Sequence, residues 1–123
     1  MKDFRDLKVW EKAHNLTLAC YDATGNFPKQ EIFGIVAQMR RAGSSIGANI
    51  AEGCGRGGSA EFQRFLQIAM GSASELEYHV LLSRDLHFLD EVTHDRLQVR
   101  IVEVKRMLAG LIRKVEAERR QGR

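Results

Sequence analysis

Apolar residues recur along this chain at helical spacing, and four stretches of that spacing are separated by turn chemistry. From Leu7 to Thr24, Val9, Ala13, Leu16 and Cys20 make one stripe, with Trp10, His14 and Tyr21 beside it. Gly25-Asn26-Phe27-Pro28 stops that helix, because Gly and Asn suit a left-handed cap and Pro28 cannot continue the hydrogen-bond ladder. Ile32, Val36, Met39, Gly43, Ile46 and Ile50 then alternate steps of four and three, the seam of a helix packed against others. Gly43 and Gly47 lie on or beside this seam, and each lowers helix propensity by about 1 kcal/mol, so the sites are read as places of crowded packing, where a neighbour comes close, or of a local bend. After Gly53-Cys54-Gly55-Arg56-Gly57-Gly58, Ser59 is the expected N-cap of a third helix. Phe62, Leu66, Ala69, Ala73, Leu76 and Val80 form its seam, and Phe65, Leu81 and Leu82 widen it. The stretch His87 to Val92 forms the last connection, and Leu97, Ile101, Val104, Leu108, Leu111 and Val115 give the fourth stripe.

The pattern thus predicts helices over about 6–24, 30–54, 59–86 and 93–119 in one domain spanning residues 1–123. Three short connections favour antiparallel neighbours, so the expected fold is all-α, an up-down-up-down four-helix bundle. Phe65, Leu81, Leu82, Met107 and Ile112 lie beyond the narrow seams and are expected to offer a second apolar surface for self-association.

Composition supports helices: Pro28 is the chain's single proline. Cys20 and Cys54 are far apart with no C-x-x-C spacing, which favours two free buried thiols over a zinc site or disulfide framework. The opening Met1-Lys2-Asp3-Phe4-Arg5-Asp6 is charged where a signal peptide would be apolar, and no apolar run approaches the roughly 20 residues that span a bilayer. A cytoplasmic protein without membrane contact is expected.

The net charge of +3 decides nothing alone, but its distribution is uneven. Thr93 to Arg123 holds nine basic and four acidic residues, whereas Ser59 to Val92 holds two basic and six acidic. Arg106, Arg113, Lys114, Arg119, Arg120 and Arg123 are therefore candidates for phosphate contact, against the simpler reading of a solvated face. Arg56, beside the start of the third helix, is a further candidate, although capping by Ser59 would satisfy the same amides.

Catalytic chemistry finds little support. Gly53-x-Gly55-x-x-Gly58 fits the dinucleotide fingerprint in letters but follows a helix, where that fingerprint needs a strand. Glu11-x-x-His14 and Glu91-x-x-His94 match half-sites of carboxylate-bridged metal centres, yet in an up-down bundle they would lie about 25 Å apart or more. His79 and His87 offer no better spacing. No nucleophile elbow, P-loop or H-E-x-x-H is present, so no enzyme, cofactor or metal is expected. Arg41, Ser45, Asn49, Glu52 and Arg56 form a polar row on the second helix, which is better suited to fixing helix register than to catalysis.

The run Gln38-Met39-Arg40-Arg41-Ala42-Gly43-Ser44-Ser45-Ile46-Gly47-Ala48-Asn49-Ile50-Ala51-Glu52-Gly53, continuing to Gly55-Arg56, resembles the signature of the 23S rRNA intervening-sequence proteins. Leu7-x-Val9-Trp10-x-x-Ala13 and Phe27-Pro28-x-x-Glu31-x-Phe33-Gly34 resemble that family's opening. Phe65-Leu66-x-Ile68-Ala69-x-Gly71-Ser72-x-x-Glu75-Leu76 and Arg106-Met107-Leu108-x-Gly110-Leu111-Ile112 resemble its second half. Many members carry proline where this chain has Gly47, so a bend set by that proline is not implied here. The resemblance implies a four-helix bundle assembled as a ring-shaped homopentamer, with no established catalysis. A similar protein is the accessory factor of diversity-generating retroelements, which partners a reverse transcriptase and binds nucleic acid through basic surface. By analogy, expected partners are other copies of the chain, RNA or DNA, or a nucleic-acid-processing protein; the alternative is a scaffold for protein contacts alone.

Overall fold

The computed structural model describes residues 3–122. Its described residues form four α-helices and no strands: α1 (Lys8–Thr24), α2 (Ile35–Gly55), α3 (Ser59–Asp85) and α4 (Glu91–Gln121). Single 3-10 turns at Phe4–Asp6 and Lys29–Glu31 precede α1 and α2. Each helix buries its stripe in one shared core, where Leu16, Met39, Ile46, Ile50, Leu66, Leu76, Ile101 and Leu108 are the largest fully buried side chains. At about 1.5–3 kcal/mol for each such side chain, this burial is the main force holding the helices together.

Contacts between successive helices run in reverse numerical order. Along α1 and α2, a Cβ on Gly47 would lie 3.3 Å from Trp10, the Thr17 hydroxyl donates to the Gly43 carbonyl at 3.0 Å, and Arg40 donates to Thr24 at 3.0 Å. Between α2 and α3, Gly53 faces Phe65 and Phe62, Ser45 meets Ser72, and Met39 accepts from Ser83. Between α3 and α4, Glu77 accepts from Lys105 and Gln63 from Arg119.

Three expectations need correction. The second helix begins at Ile35 rather than near residue 30: Gly34, at φ −102 and ψ −116, breaks the path between the 3-10 turn and α2. Ile32 is consequently 53% exposed, Phe33 is 93% exposed, and Ile35 packs into the core. The N-cap of α3 is Gly58, and Ser59 is already helical with no side-chain cap bond formed at this end. The positive φ of 82 at Gly57 turns the chain just before it, which takes the capping position away from Ser59. Finally, the supposed second apolar surface is not continuous. Phe65 is buried, Leu82, Met107 and Ile112 pack against the core, and only Leu81 of that set is exposed.

Helix ends carry their own signals. Asp90 accepts from the Thr93 amide at 2.7 Å and starts α4 two residues earlier than its stripe implies. The α3 end is a Schellman turn without glycine: Phe88 N–H donates to the Ser83 carbonyl and His87 N–H to the Arg84 carbonyl, with His87 at φ 65.

Candidate nucleic-acid interface

The candidate cations fall into two groups once their neighbours are known. Arg56 is engaged inside the chain: its guanidinium donates to Glu52 at 2.7 Å and lies 5.1 Å from the centre of the Phe65 ring. That ion pair strengthens its hold on its proton. Arg40 donates to the Thr24 hydroxyl at 3.0 Å, reaches the Tyr21 carbonyl at 3.4 Å and stacks on the Tyr21 ring. Arg41 bonds to Gln38 and pairs with Glu75 across the α2–α3 boundary at 3.6 Å.

The remaining motif residues join the same network. The Ser45 and Ser72 hydroxyls share a 2.9 Å hydrogen bond, and Asn49 donates to the Ser45 carbonyl at 2.8 Å and to its hydroxyl at 2.9 Å. Glu75 also contacts His79 at 3.3 Å. Gly53 is buried with Phe65 3.0 Å and Phe62 3.1 Å from where a Cβ would sit, so glycine is what lets α3 approach α2 there. Within the α2 polar row, Ser45 and Arg41 thus reach across to Ser72 and Glu75 on α3, while Asn49 and Glu52 form hydrogen bonds to neighbours one turn away. Gly71 behaves differently, for it is exposed near the middle of α3 and a Cβ there would meet nothing within 4 Å.

On α4 the cations divide again. Arg119 donates to Gln63 on α3, and Arg120 pairs with Glu116 at 3.4 Å. Lys105 pairs with Glu77 at 2.8 Å, which together with Gln98 holds the Glu77 carboxyl below its ordinary range. Arg106, Arg113 and Lys114 are exposed, and among the described residues no carboxylate lies within ion-pair distance of them. Arg123 lies outside the described residues.

Of the two metal half-sites, Glu11-x-x-His14 lies on α1 and Glu91-x-x-His94 on the first turn of α4. His94 is buried and its Nδ1 lies 2.9 Å from Asp95. With Glu91 these groups come within 4.8 Å of one another, but they sit at the positive end of α4, with Arg84 4.0 Å from Glu91, which disfavours a divalent cation. Burial pushes the Cys20 thiol up to about 12, so it is poorly suited to act as a nucleophile. No described helix is long and apolar enough to cross a membrane.

Sequence reasoning missed Val99 and Val102. They line a shallow groove on the outward side of α4 with Gln98, Glu103, Arg106 and Met107, and Val99 is 69% exposed. Two valines opposite the apolar stripe were the available signal.

These features define a small all-α, four-helix protein whose polar motif residues include ties between its second and third helices. The chain belongs to the 23S rRNA-intervening sequence protein family, whose model matches residues 5–110. A crystal structure of a protein with unknown function from the S23 ribosomal protein family of Bacteroides thetaiotaomicron is similar at 25% identity. The alignment covers 85% of this chain and 95% of that one, with a TM-score of 0.79. No curated protein matches.

Proposed function

We propose that this protein is a non-catalytic homo-oligomer that binds RNA or DNA, or a nucleoprotein partner, through basic surface on α4. Binding is weak per subunit, driven by charge, and without base readout. The observation that carries this reading is the exposure of Arg106, Arg113 and Lys114 without an in-chain counter-ion among the described residues. Cations already paired gain little from a phosphate, whereas these give up only water and small counter-ions. The reverse numerical order of the helix contacts supports an antiparallel up-down-up-down bundle. Family membership supports a ring, in which a modest patch repeats and becomes polyvalent. The proposed setting is the cytoplasm, and the resemblance points to five copies.

The test is a gel-shift titration across salt with RNA and DNA, on protein of measured mass. Arg113→Gln with Lys114→Gln should weaken binding at least tenfold at low salt and reduce the salt slope, while leaving stability within about 0.5 kcal/mol. Unchanged binding removes this surface. Failure of the wild type to retain either nucleic acid at low salt supports a protein scaffold instead.

A further inference from the structure

The first half of α4 carries two cations that the strand-binding surface does not use. Arg96 and Arg100 stand four residues apart on one side of the helix, where like charges repel at a cost of about 0.2–0.5 kcal/mol. Both are exposed, and among the described residues no carboxylate lies within ion-pair distance of either. The sequence around them accounts for this. Val92, Thr93, Val99 and Val104 occupy neighbouring helical positions without charge, and Glu103 is tied to Lys12 at 3.4 Å.

The two arginines line a cleft of about 380 Å³ between the end of α1 and the start of α4. Ala19, Ala23, Phe88 and Leu97 give it apolar lining, and the small alanines of α1 leave its space open. Across from α4, the cleft is lined by Asp22 and by Asn26 in the turn after α1, and among the described residues neither side chain has a hydrogen bond or ion pair. Asp90, also in the lining, is occupied at the start of α4. The Thr93 amide and hydroxyl hold its carboxyl low, and Arg96 adds to this from beyond ion-pair distance. Unlike charges thus border one space without closing on each other. A long polyanion would meet Asp22 there, a divalent cation would meet the arginines, and an apolar segment would strand four polar groups. The lining suits a small molecule with an anion at one end, an apolar body, and hydrogen-bond donors at the other.

We infer that this cleft binds a nucleoside 5′-monophosphate, free or at the 5′ end of a strand, with the phosphate on Arg96 and Arg100 and an amino-bearing base on Asp22 and Asn26. A phosphate dianion matches two guanidiniums in charge and accepts paired N–H bonds from them. A carboxylate accepts from the exocyclic amine of a base, and a primary amide pairs with a donor-acceptor edge, as on adenine. The cleft's volume falls in the range of roughly 300–1,000 Å³ typical of small-ligand sites. From Arg100 to Arg113 is about 20 Å along the helix, so this site is separate from the strand surface proposed above.

The test is calorimetric titration of the whole protein with adenosine 5′-monophosphate, uridine 5′-monophosphate, adenosine, inorganic phosphate and leucine. Adenosine monophosphate should bind, and each of the others should bind at least about tenfold more weakly. Arg96→Gln with Arg100→Gln should bring the nucleotide down to the level of adenosine, and Asp22→Ala should bring it down to the level of uridine monophosphate. All three positions are exposed, and melting curves check that the variants fold. If the double variant does not fold, Arg100→Gln alone is held to the same direction of change. A trinucleotide with a 5′-phosphate, compared with one ending in a 5′-hydroxyl, tells a strand end from a free nucleotide. No binding by the wild type, nucleotide affinity unmoved by the arginine substitutions, or inorganic phosphate or leucine binding as well as the nucleotide overturns the inference. Arg113→Gln with Lys114→Gln should leave nucleotide affinity unchanged, so loss of strand binding alone counts against the earlier reading and not against this one.

Discussion

Helices α2 and α4 both expose a row of cationic side chains, but the two rows have different fates. On α2, Arg40 reaches Thr24 and Tyr21, Arg41 reaches Gln38 and Glu75, and Arg56 reaches Glu52 and Phe65. On α4, Arg113 has Ala109 and Ala117 four residues away on either side, and Glu116, three residues on, is paired with Arg120. Lys114 precedes Glu118, the less favourable order for a helical pair, and Arg106 follows Glu103, which is tied to Lys12. Charge count alone would treat the rows alike. The local supply of acceptors ties the α2 row into the scaffold and leaves part of the α4 row without an ion pair among the described residues.

If α2 is structural in this sense, changes there should alter stability before they alter binding. The largest effect is expected from Gly53→Val, which would force a Cβ against Phe65 and Phe62; urea unfolding should show a loss of about 1–3 kcal/mol. An unchanged midpoint would mean that α2 and α3 are less tightly fitted than their geometry indicates. A smaller effect is expected at the seam. Ser45→Ala and Ser72→Ala should each cost about 1 kcal/mol, and the double variant less than the two losses combined. Strict additivity would show that the hydroxyls do not act as a pair.

The smallest effect sharpens the α4 side of the comparison. Lys105 and Gln98 hold Glu77 below its ordinary value of 4.5. A carboxyl depressed by folding contributes fully above that value, and its contribution is lost as pH falls through the lower folded value. Stability of the wild type should therefore fall more steeply below pH 4.5 than that of Lys105→Met. For a pair this accessible the difference should be about 0.2–1 kcal/mol. Parallel pH profiles would show that Lys105 is as loosely held as Lys114.

The four stripes were legible in the sequence because helical burial repeats with the period of the helix, and nearly every seam position from Val9 to Val115 is buried. Family membership was legible from the run Gln38 to Arg56 and its flanking motifs. Ile32 misled because periodicity cannot register the break at Gly34, where one turn changes helix type. Ser59 misled because the backbone at Gly57 and Gly58 sets the cap, and composition does not report φ. The division among the cations was hidden for another reason. Arg119 finds Gln63 56 residues away and Lys105 finds Glu77 28 away, so those partners exist only after packing. The exposed valines of α4 were visible as letters, yet their isolation from the core became plain only when the outward side of the helix was fixed.

Arg40 has a consequence for how the chain assembles itself. The last turn of α1 contains no basic residue, so its negative pole is answered from α2 by the guanidinium that reaches the Tyr21 carbonyl and the Thr24 hydroxyl. The first helix is thus left electrically unfinished until the second lies against it. A peptide ending at Thr24 would fray where the whole protein does not, and order at that terminus would report the joining of two segments.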